Sequence, residues 1–286
     1  MHKKQNNLWL LAALAAPLAH FSGSGWLVSA LVALAVLPLA LIPKDWKGPG
    51  KPLALVQMIW LGLVAGTLLP HSGAYWPSDN DLVVPLTILT LAAITNENAA
   101  PRVGAVLAFC MALLAVPAAV SGAAKLDAAW LRPKKAPLPW ALIAVLLLPN
   151  LPAPGEAGKR KGVICAGVLT VALAVLVEGV ISSEVASSVE APFYQTARTL
   201  GYMEPVIAAG VTLGWYAFAL SVLQSARILA KESAIAAVWP CVLVLGTSLG
   251  CMLFKWQLPY PTMALFGAFF WVLIPFRTKI KKFEKI

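Results

Sequence analysis

The sequence predicts an all-α polytopic membrane protein with about ten transmembrane helices, and three observations predict it. Of the 286 residues, 60% are hydrophobic and only 12% are charged, whereas a soluble domain carries about 25% charged residues. The apolar runs do not alternate with polar residues, which favours helices over a barrel. Backbone groups in lipid need internal partners, and a helix supplies them. Short stretches rich in Lys, Asp, Gly or Pro separate the runs.

The runs divide the chain into ten expected segments, and the number ten allows two halves of five. The segments are 8–21, 25–42, 53–70, 82–95, 103–122, 138–149, 162–182, 203–226, 234–254 and 259–276. We expect a single bundle over 1–286, in which 1–122 form the first repeat and 138–276 the second. Residues 123–137 form an external connecting loop, and 277–286 form a basic cytoplasmic tail. An odd number of helices in each repeat inverts the second repeat relative to the first.

The charges of the loops predict the orientation. Basic residues concentrate in the loops after segments 2, 6 and 8 and in the tail, whereas acidic residues mark the loops after segments 3 and 7. The positive-inside rule therefore places both termini in the cytoplasm. The basic loop 123–137 is the exception, because the count places it outside. Either the count is wrong there, or the run KLDAAWLRP forms an interfacial helix.

Two segments are interrupted, and the second is also too short. The eleven-residue stretch 138–148 would rise about 16 Å as a helix, against a hydrocarbon core of about 30 Å. Three prolines then follow, with Asn150 between the first two. The first segment carries Pro17 and His20 and runs into Ser-Gly-Ser-Gly at 22–25. Paired interrupted segments at corresponding places in two halves indicate a transporter-type binding site. A plain tight turn at the membrane surface is the alternative for each break.

The candidate ligand-binding residues lie at these breaks and in segment 8. They are Ser22, Gly23, Ser24, Asn150, Trp215 and Tyr216. The two aromatic residues lie in the middle of a span rather than at an interface, so they suit either a cavity or a packed core. Glu178 is the candidate for ion or proton coupling, because an acid inside a span is a functional candidate by default. Its alternative place is the outer interface.

The segment before segment 8 predicts an external amphipathic helix that begins at Pro192 and ends at Gly201. Other features narrow the function. The net charge of +10 lies in short loops and the tail, where it orients the bundle, so we expect no nucleic-acid partner. There is no P-loop, HExxH, GxSxG or metal-ligand cluster. We therefore expect no enzyme, no cofactor and no metal.

The order of these features resembles the B-subunit (GerAB-type) family of nutrient germinant receptors, in the amino acid–polyamine–organocation (APC) transporter superfamily. SGWLVSALVALAVLPLAL resembles the family's second helix, and the turn from Asn96 to Arg102 resembles its turn into helix 5. The basic GKRKG is similar to the loop between helices 6 and 7. APFYQTARTLGYMEPVIAAGVTLGWYAFALSV resembles a proline-led external helix followed by an acidic residue and a Trp-containing helix 8. PYPTMALFGAFFWVLIPF resembles helix 10.

The resemblance implies a ten-helix, five-plus-five inverted-repeat (LeuT/APC-like) bundle with helices 1 and 6 interrupted. Such a subunit lies in the spore inner membrane or plasma membrane. It senses a small nutrient, such as an amino acid, between helices 1, 3, 6 and 8, and it acts with A- and C-type subunits to trigger germination. The alternatives are an APC-type secondary transporter of amino acids or similar solutes, and a scaffold subunit that binds no ligand.

Overall fold

The structure, a computed structural model, describes residues 6–41, 51–76, 81–95, 99, 102–103, 106–107, 110, 120–131, 138–148, 158–202 and 204–270. All regular secondary structure in these ranges is helical, as the sequence predicts. Segment 5 (103–122), the second break after 148 and the end of segment 10 lie wholly or largely outside the described residues. Asn150 and the tail 277–286 lie outside them as well.

Eleven α-helices and two 3-10 turns are described. The α-helices are α1 (Asn6–His20), α2 (Trp26–Leu41), α3 (Lys51–Leu68), α4 (Val83–Ile94), α5 (Trp140–Leu147), α6 (Gly158–Ile181), α7 (Ser183–Ser188), α8 (Pro192–Thr199), α9 (Glu204–Glu232), α10 (Val238–Leu253) and α11 (Tyr260–Phe270). The 3-10 turns are Ser22–Ser24, between α1 and α2, and Leu69–Tyr75, which continues α3. We call them the first and the second 3-10 turn.

Three of these helical stretches are long and apolar enough to cross a membrane. They are Lys51–Tyr75, Ile164–Ile181 and Glu204–Lys231, and they belong to α3, α6 and α9. Shorter apolar helices surround them, at Trp26–Pro38, Val83–Ile94, Val238–Leu253 and Tyr260–Phe270. The chain is therefore a helical membrane protein. At eight residues, α5 is short, as expected for the segment before the second break.

Helix α9 lies at the centre of the packing. It contacts α1, α3, α4 and α10, while α6 packs against α1 and α2, and α3 packs against α10. Most buried apolar side chains of the described residues form one large cluster, and two smaller clusters lie around Val177 and around Ala217. Leu18 of α1, Met58 of α3, Leu142 of α5 and Leu220 of α9 are each at most 1% exposed. Each of these helices therefore directs an apolar face towards the same interior.

Two glycines let α3 approach α10 closely. A side chain at Gly62 would collide with the Thr247 side chain, and one at Gly66 would collide with Cys251. The Ser248 hydroxyl also donates a hydrogen bond of 3.0 Å to the Gly62 carbonyl. Small residues four apart allow such backbone contact in membrane helices, where lipid supplies no hydrophobic force to hold helices together.

The expected end of segment 8 at residue 226 is wrong, because α9 continues to Glu232. Arg227 was expected in a loop, but its guanidinium donates to backbone carbonyls of α4 and is thereby satisfied within the bundle. The helix ends where Ala234 adopts a positive φ of 51°. The Ile235 amide then donates back to the Ala230 carbonyl, as in a Schellman motif.

The connections agree with the prediction at one place and differ from it at another. The helix expected from Pro192 is confirmed as α8, which begins at that residue. Gly201, with a φ of +87°, follows its C-terminal end. The run from Lys125 to Leu131 forms turns rather than the interfacial helix considered above. The Asp127 amide donates to the Gly179 carbonyl, so this connection packs against the end of α6.

Candidate functional site: a buried histidine–aromatic cluster

The break after α1 lies between α1 and α2. The chain leaves α1 after His20 and forms the first 3-10 turn. It then reverses through Gly25, whose φ of +86° suits glycine. The irregular stretch that the sequence predicts at 22–25 is confirmed, and this geometry fits both a ligand site and a plain tight turn between two helices.

The hydroxyls in the break are turned back onto their own chain. The Ser22 hydroxyl donates to the Ala19 carbonyl at 2.7 Å, and the Ser24 hydroxyl donates to the Phe21 carbonyl at 3.2 Å. Gly23 packs against the Ala186 backbone and the Pro192 ring, which leave no room for a side chain. In this conformation the three predicted residues form the break, and the two serine hydroxyls bond to carbonyls of the same stretch of chain.

Glu178 also holds the break. It lies near the end of α6, is 3% exposed, and accepts a hydrogen bond of 2.8 Å from the backbone amide of Trp26. That amide belongs to the first residue of α2, where helix amides have no partner within the helix. A carboxylate there also interacts favourably with the positive end of the helix dipole. The Trp26 indole donates in turn to the Leu131 carbonyl at 2.8 Å. Glu178 therefore anchors the start of α2 to α6.

The second 3-10 turn places a polar face beside the end of α1. Three residues per turn align Leu69, Ser72 and Tyr75, and all three are buried. The Tyr75 hydroxyl and Nδ1 of His20 are 3.1 Å apart and share a hydrogen bond. The end of α1 and the turn that continues α3 are thus joined inside the protein by a polar contact.

A second histidine lies against the first. The rings of His20 and His71 have centroids 4.5 Å apart. Nε2 of His71 and the Tyr260 hydroxyl, at the start of α11, are 2.8 Å apart. Phe21 packs edge-on against both His71 and Tyr260, at centroid distances of 5.4 and 5.6 Å. The two histidines therefore link α1, the second 3-10 turn and α11.

Helices α8 and α9 complete the cluster. The Trp215 ring of α9 packs edge-on against His20, with centroids 6.1 Å apart. The Tyr194 ring of α8 packs edge-on against Tyr75 at 5.8 Å. We call this set the His–aromatic cluster. Its members are His20, Phe21, His71, Ser72, Tyr75, Tyr194, Trp215 and Tyr260.

Carboxylates lie at one edge of the cluster. Tyr194 donates to Oε2 of Glu204 at 3.4 Å, and Arg198 forms an ion pair with the other oxygen of Glu204 at 2.8 Å. Partial burial and the Glu204 carboxylate raise the pKa of Tyr194. Glu190 is close enough to Tyr75 and Tyr260 to interact with both electrostatically.

Two polar groups in the cluster have no hydrogen-bond partner among the described residues. They are the indole N–H of Trp215 and the hydroxyl of Ser72, and both residues are fully buried. A buried donor without a partner costs about 1–3 kcal/mol. A bound molecule that forms hydrogen bonds with this indole N–H and this hydroxyl would remove that cost.

Tyr216, unlike its neighbour Trp215, lies away from the cluster. Its hydroxyl is 2.7 Å from the Thr95 hydroxyl, just past the end of α4. Arg227, three helical turns further along α9, donates to the carbonyls of Thr95 and Ala93 at 3.1 and 3.2 Å. Tyr216 and Arg227 together hold the C-terminal end of α4 against α9.

The structure therefore places Trp215 against His20, directly before the break, and places Tyr216 against Thr95 instead. Sequence reasoning missed His71, Ser72, Tyr75 and Tyr260. The available signal was Leu-Pro-His-Ser-Gly at 69–73, a polar, helix-breaking stretch directly after an apolar run. The described ranges contain no group of three or more His, Cys, Asp or Glu placed to hold a metal ion.

The fold and the site define a helical membrane protein with a partly polar interior at a helix break. Neither a scan of protein-family models nor a search of curated proteins found a significant match to this chain.

Proposed function

We propose that this chain is the membrane subunit of a nutrient germinant receptor, of the GerAB type, and that it senses a small nutrient at the His–aromatic cluster. One observation carries the binding function: the interrupted end of α1 meets a fully buried indole N–H that has no partner in the described ranges. The proposed family rests on the resemblance of the sequence.

The elements around the cluster support the proposal. Helices α1, α3 and α9 are segments 1, 3 and 8, and the resemblance implies a ligand between helices 1, 3, 6 and 8. Segment 6 is α5, which contacts α1 and α2. Ligand sites of transporter-like bundles lie where irregular backbone lines an interior cavity. The break at 22–25 and the second 3-10 turn are two such irregular stretches.

The helix contacts also support the proposed inverted repeat. In such a repeat, segments 1 to 5 correspond to segments 6 to 10. The contact of α3 with α10 (segments 3 and 9) then corresponds to the contact of α9 with α4 (segments 8 and 4). The contact of α1 with α6 (segments 1 and 7) corresponds to the contact of α5 with α2 (segments 6 and 2). All four contacts occur, as do the self-paired contacts of α2 with α6, α3 with α9 and α1 with α5. The close packing of α1 on α9 has no counterpart of similar extent between α5 and α3.

In this proposal both termini are cytoplasmic, and the cluster faces the opposite side of the membrane. The protein lies in the spore inner membrane or the plasma membrane and acts with A- and C-type subunits. A bound nutrient favours one arrangement of the bundle over another. It can do so only through a difference in affinity for the two arrangements.

A binding and uptake assay tests the proposal. The purified chain is reconstituted in liposomes and given a panel of radiolabelled amino acids and other small nutrients, with and without an H⁺ or Na⁺ gradient. A sensor gives saturable binding without accumulation, and Trp215→Ala weakens that binding. Trp239→Ala, at a half-exposed position of α10, is the matched control.

The other outcomes identify the alternatives. Gradient-driven accumulation would make the chain a secondary transporter and refute the sensor function. An absence of binding, by the chain alone and by the chain together with A- and C-type subunits, would favour the scaffold.

A further inference from the structure

The unpaired groups of the His–aromatic cluster restrict the chemistry of its ligand. The indole N–H of Trp215 is a donor only, so its missing partner is an acceptor. The Ser72 hydroxyl either donates or accepts. Both side chains are fully buried and lack a partner among the described residues. A ligand that satisfies both must therefore bring at least one oxygen or nitrogen acceptor into the cluster.

The charges around the cluster oppose an anionic acceptor. Two carboxylates, Glu190 and Glu204, interact with its tyrosines. The cation beside them, Arg198, is already ion-paired with Glu204. Within the part of the chain that the structure describes, the hydrogen bonds and ring contacts of His20, His71 and Trp215 involve no Lys or Arg. A buried carboxylate without a cationic partner is costly, whereas a neutral carbonyl or hydroxyl is not.

The remaining lining is aromatic. Phe21, Tyr75, Tyr260 and Trp215 present ring edges and faces around the two histidines. Aromatic walls with a few polar groups are the usual lining of a site for a small organic molecule, because the walls supply apolar contact and the polar groups supply orientation.

We infer that the cluster takes an uncharged polar solute, with a flat or apolar face, a carbonyl or hydroxyl acceptor for the Trp215 indole N–H and a second polar group for the Ser72 hydroxyl. This inference rests on the proposed function, since it names the class of nutrient that the same site would bind. It differs from the amino-acid ligand considered above, which brings a free carboxylate.

Matched pairs of solutes test the inference by isothermal titration calorimetry on the full chain in nanodiscs. The pairs are nicotinamide with nicotinate and glucose with gluconate, and zwitterionic alanine is added. Each pair keeps the number of carbon atoms and changes a neutral group to a carboxylate; nicotinamide and nicotinate also share one ring, so that pair isolates the charge, whereas gluconate is an open chain and glucose a ring. We expect at least one neutral member to bind, with its anionic partner weaker by about tenfold or more.

Two substitutions locate the binding. Trp215→Phe removes the N–H and keeps a ring, and Ser72→Ala removes the hydroxyl. Each substitution should lower the affinity for the neutral solute by about five- to tenfold, which is the effect of one lost hydrogen bond. Trp239→Phe and Ser187→Ala, both at exposed positions, should leave affinity unchanged. The unchanged elution volume and helical circular dichroism of each variant exclude misfolding.

The outcomes separate this inference from the proposed function. Stronger binding of nicotinate, gluconate or alanine than of the neutral solutes overturns the inference and leaves the sensor function intact. Neutral binding that neither substitution weakens places the site elsewhere and also overturns it. An absence of saturable binding by every solute at millimolar concentration overturns the inference, whereas the sensor function is decided by the wider nutrient panel with the A- and C-type subunits present.

Discussion

Replacing Glu178 tests how the break after α1 is held. The carboxylate is 3% exposed and accepts the Trp26 amide at 2.8 Å. Glu178→Ala removes the acceptor and leaves that partly buried amide at the start of α2 without its partner. Glu178→Gln keeps an oxygen acceptor of nearly the same shape and removes the charge. The pair of variants therefore separates the hydrogen bond from the charge.

The structure sets the expected magnitudes. An unsatisfied buried amide costs about 1–3 kcal/mol, and a lost charge at a helix N-terminus costs about 0.3–1 kcal/mol. Glu178→Ala should therefore destabilise the fold by about 1.3–4 kcal/mol. Glu178→Gln should lose about 0.3–1 kcal/mol, because only the dipole interaction weakens. At about 2–4 °C per kcal/mol, the alanine variant should unfold several degrees lower.

Thermal unfolding in detergent measures the two effects, and hydrogen exchange at the Trp26 amide localises them. The amide should exchange faster in Glu178→Ala and nearly as in the parent in Glu178→Gln. Equal stability of all three proteins would refute the anchoring role. If Glu178 instead carries a coupled proton or ion, Glu178→Gln should abolish gradient-dependent function while stability stays near the parent value.

Two further substitutions test the packing of α3 against α10 and of α4 against α9. Gly66→Leu should destabilise the bundle by about 1–3 kcal/mol, because the new side chain meets Cys251. Gly250→Leu is the control, because a side chain at Gly250 meets open space. Equal shifts of the unfolding temperature in both variants would refute the close approach of α3 to α10. Arg227→Met removes the donors to the carbonyl of Thr95, so the last turn of α4 should exchange its amide hydrogens faster. Unchanged exchange would show that Arg227 does not hold α4.

The sequence was sufficient to locate most helices. In lipid, the backbone N–H and C=O groups of a helix must pair within that helix, and the side chains that face lipid must be apolar. Pro192 marked the start of α8 because a first-turn proline lacks only an N–H that would be orphaned. Glycine at 25 and 201 marked places where the chain leaves helical geometry. These signals are local, and local signals can be read from one sequence.

The composition of the cluster could not be predicted in the same way. His20, His71 and Tyr260 are distant in sequence, and only the packing of three helices brings their rings together. Trp215 and Tyr216 are consecutive, but successive residues of a helix point about 100° apart. One therefore reaches the cluster and the other reaches α4. The apolar pattern of α9 does not reveal which face meets which neighbour.

The most direct test of a ligand site at the break is a hydrogen-exchange footprint. The reconstituted protein is labelled with and without the solute that binds most tightly in the liposome assay. Residues 21–25 and 69–76 contain the two 3-10 turns of the site. The account predicts slower exchange in both segments together, and loss of that protection in Trp215→Ala. Unchanged exchange in both segments, with protection appearing elsewhere in the chain, would contradict it.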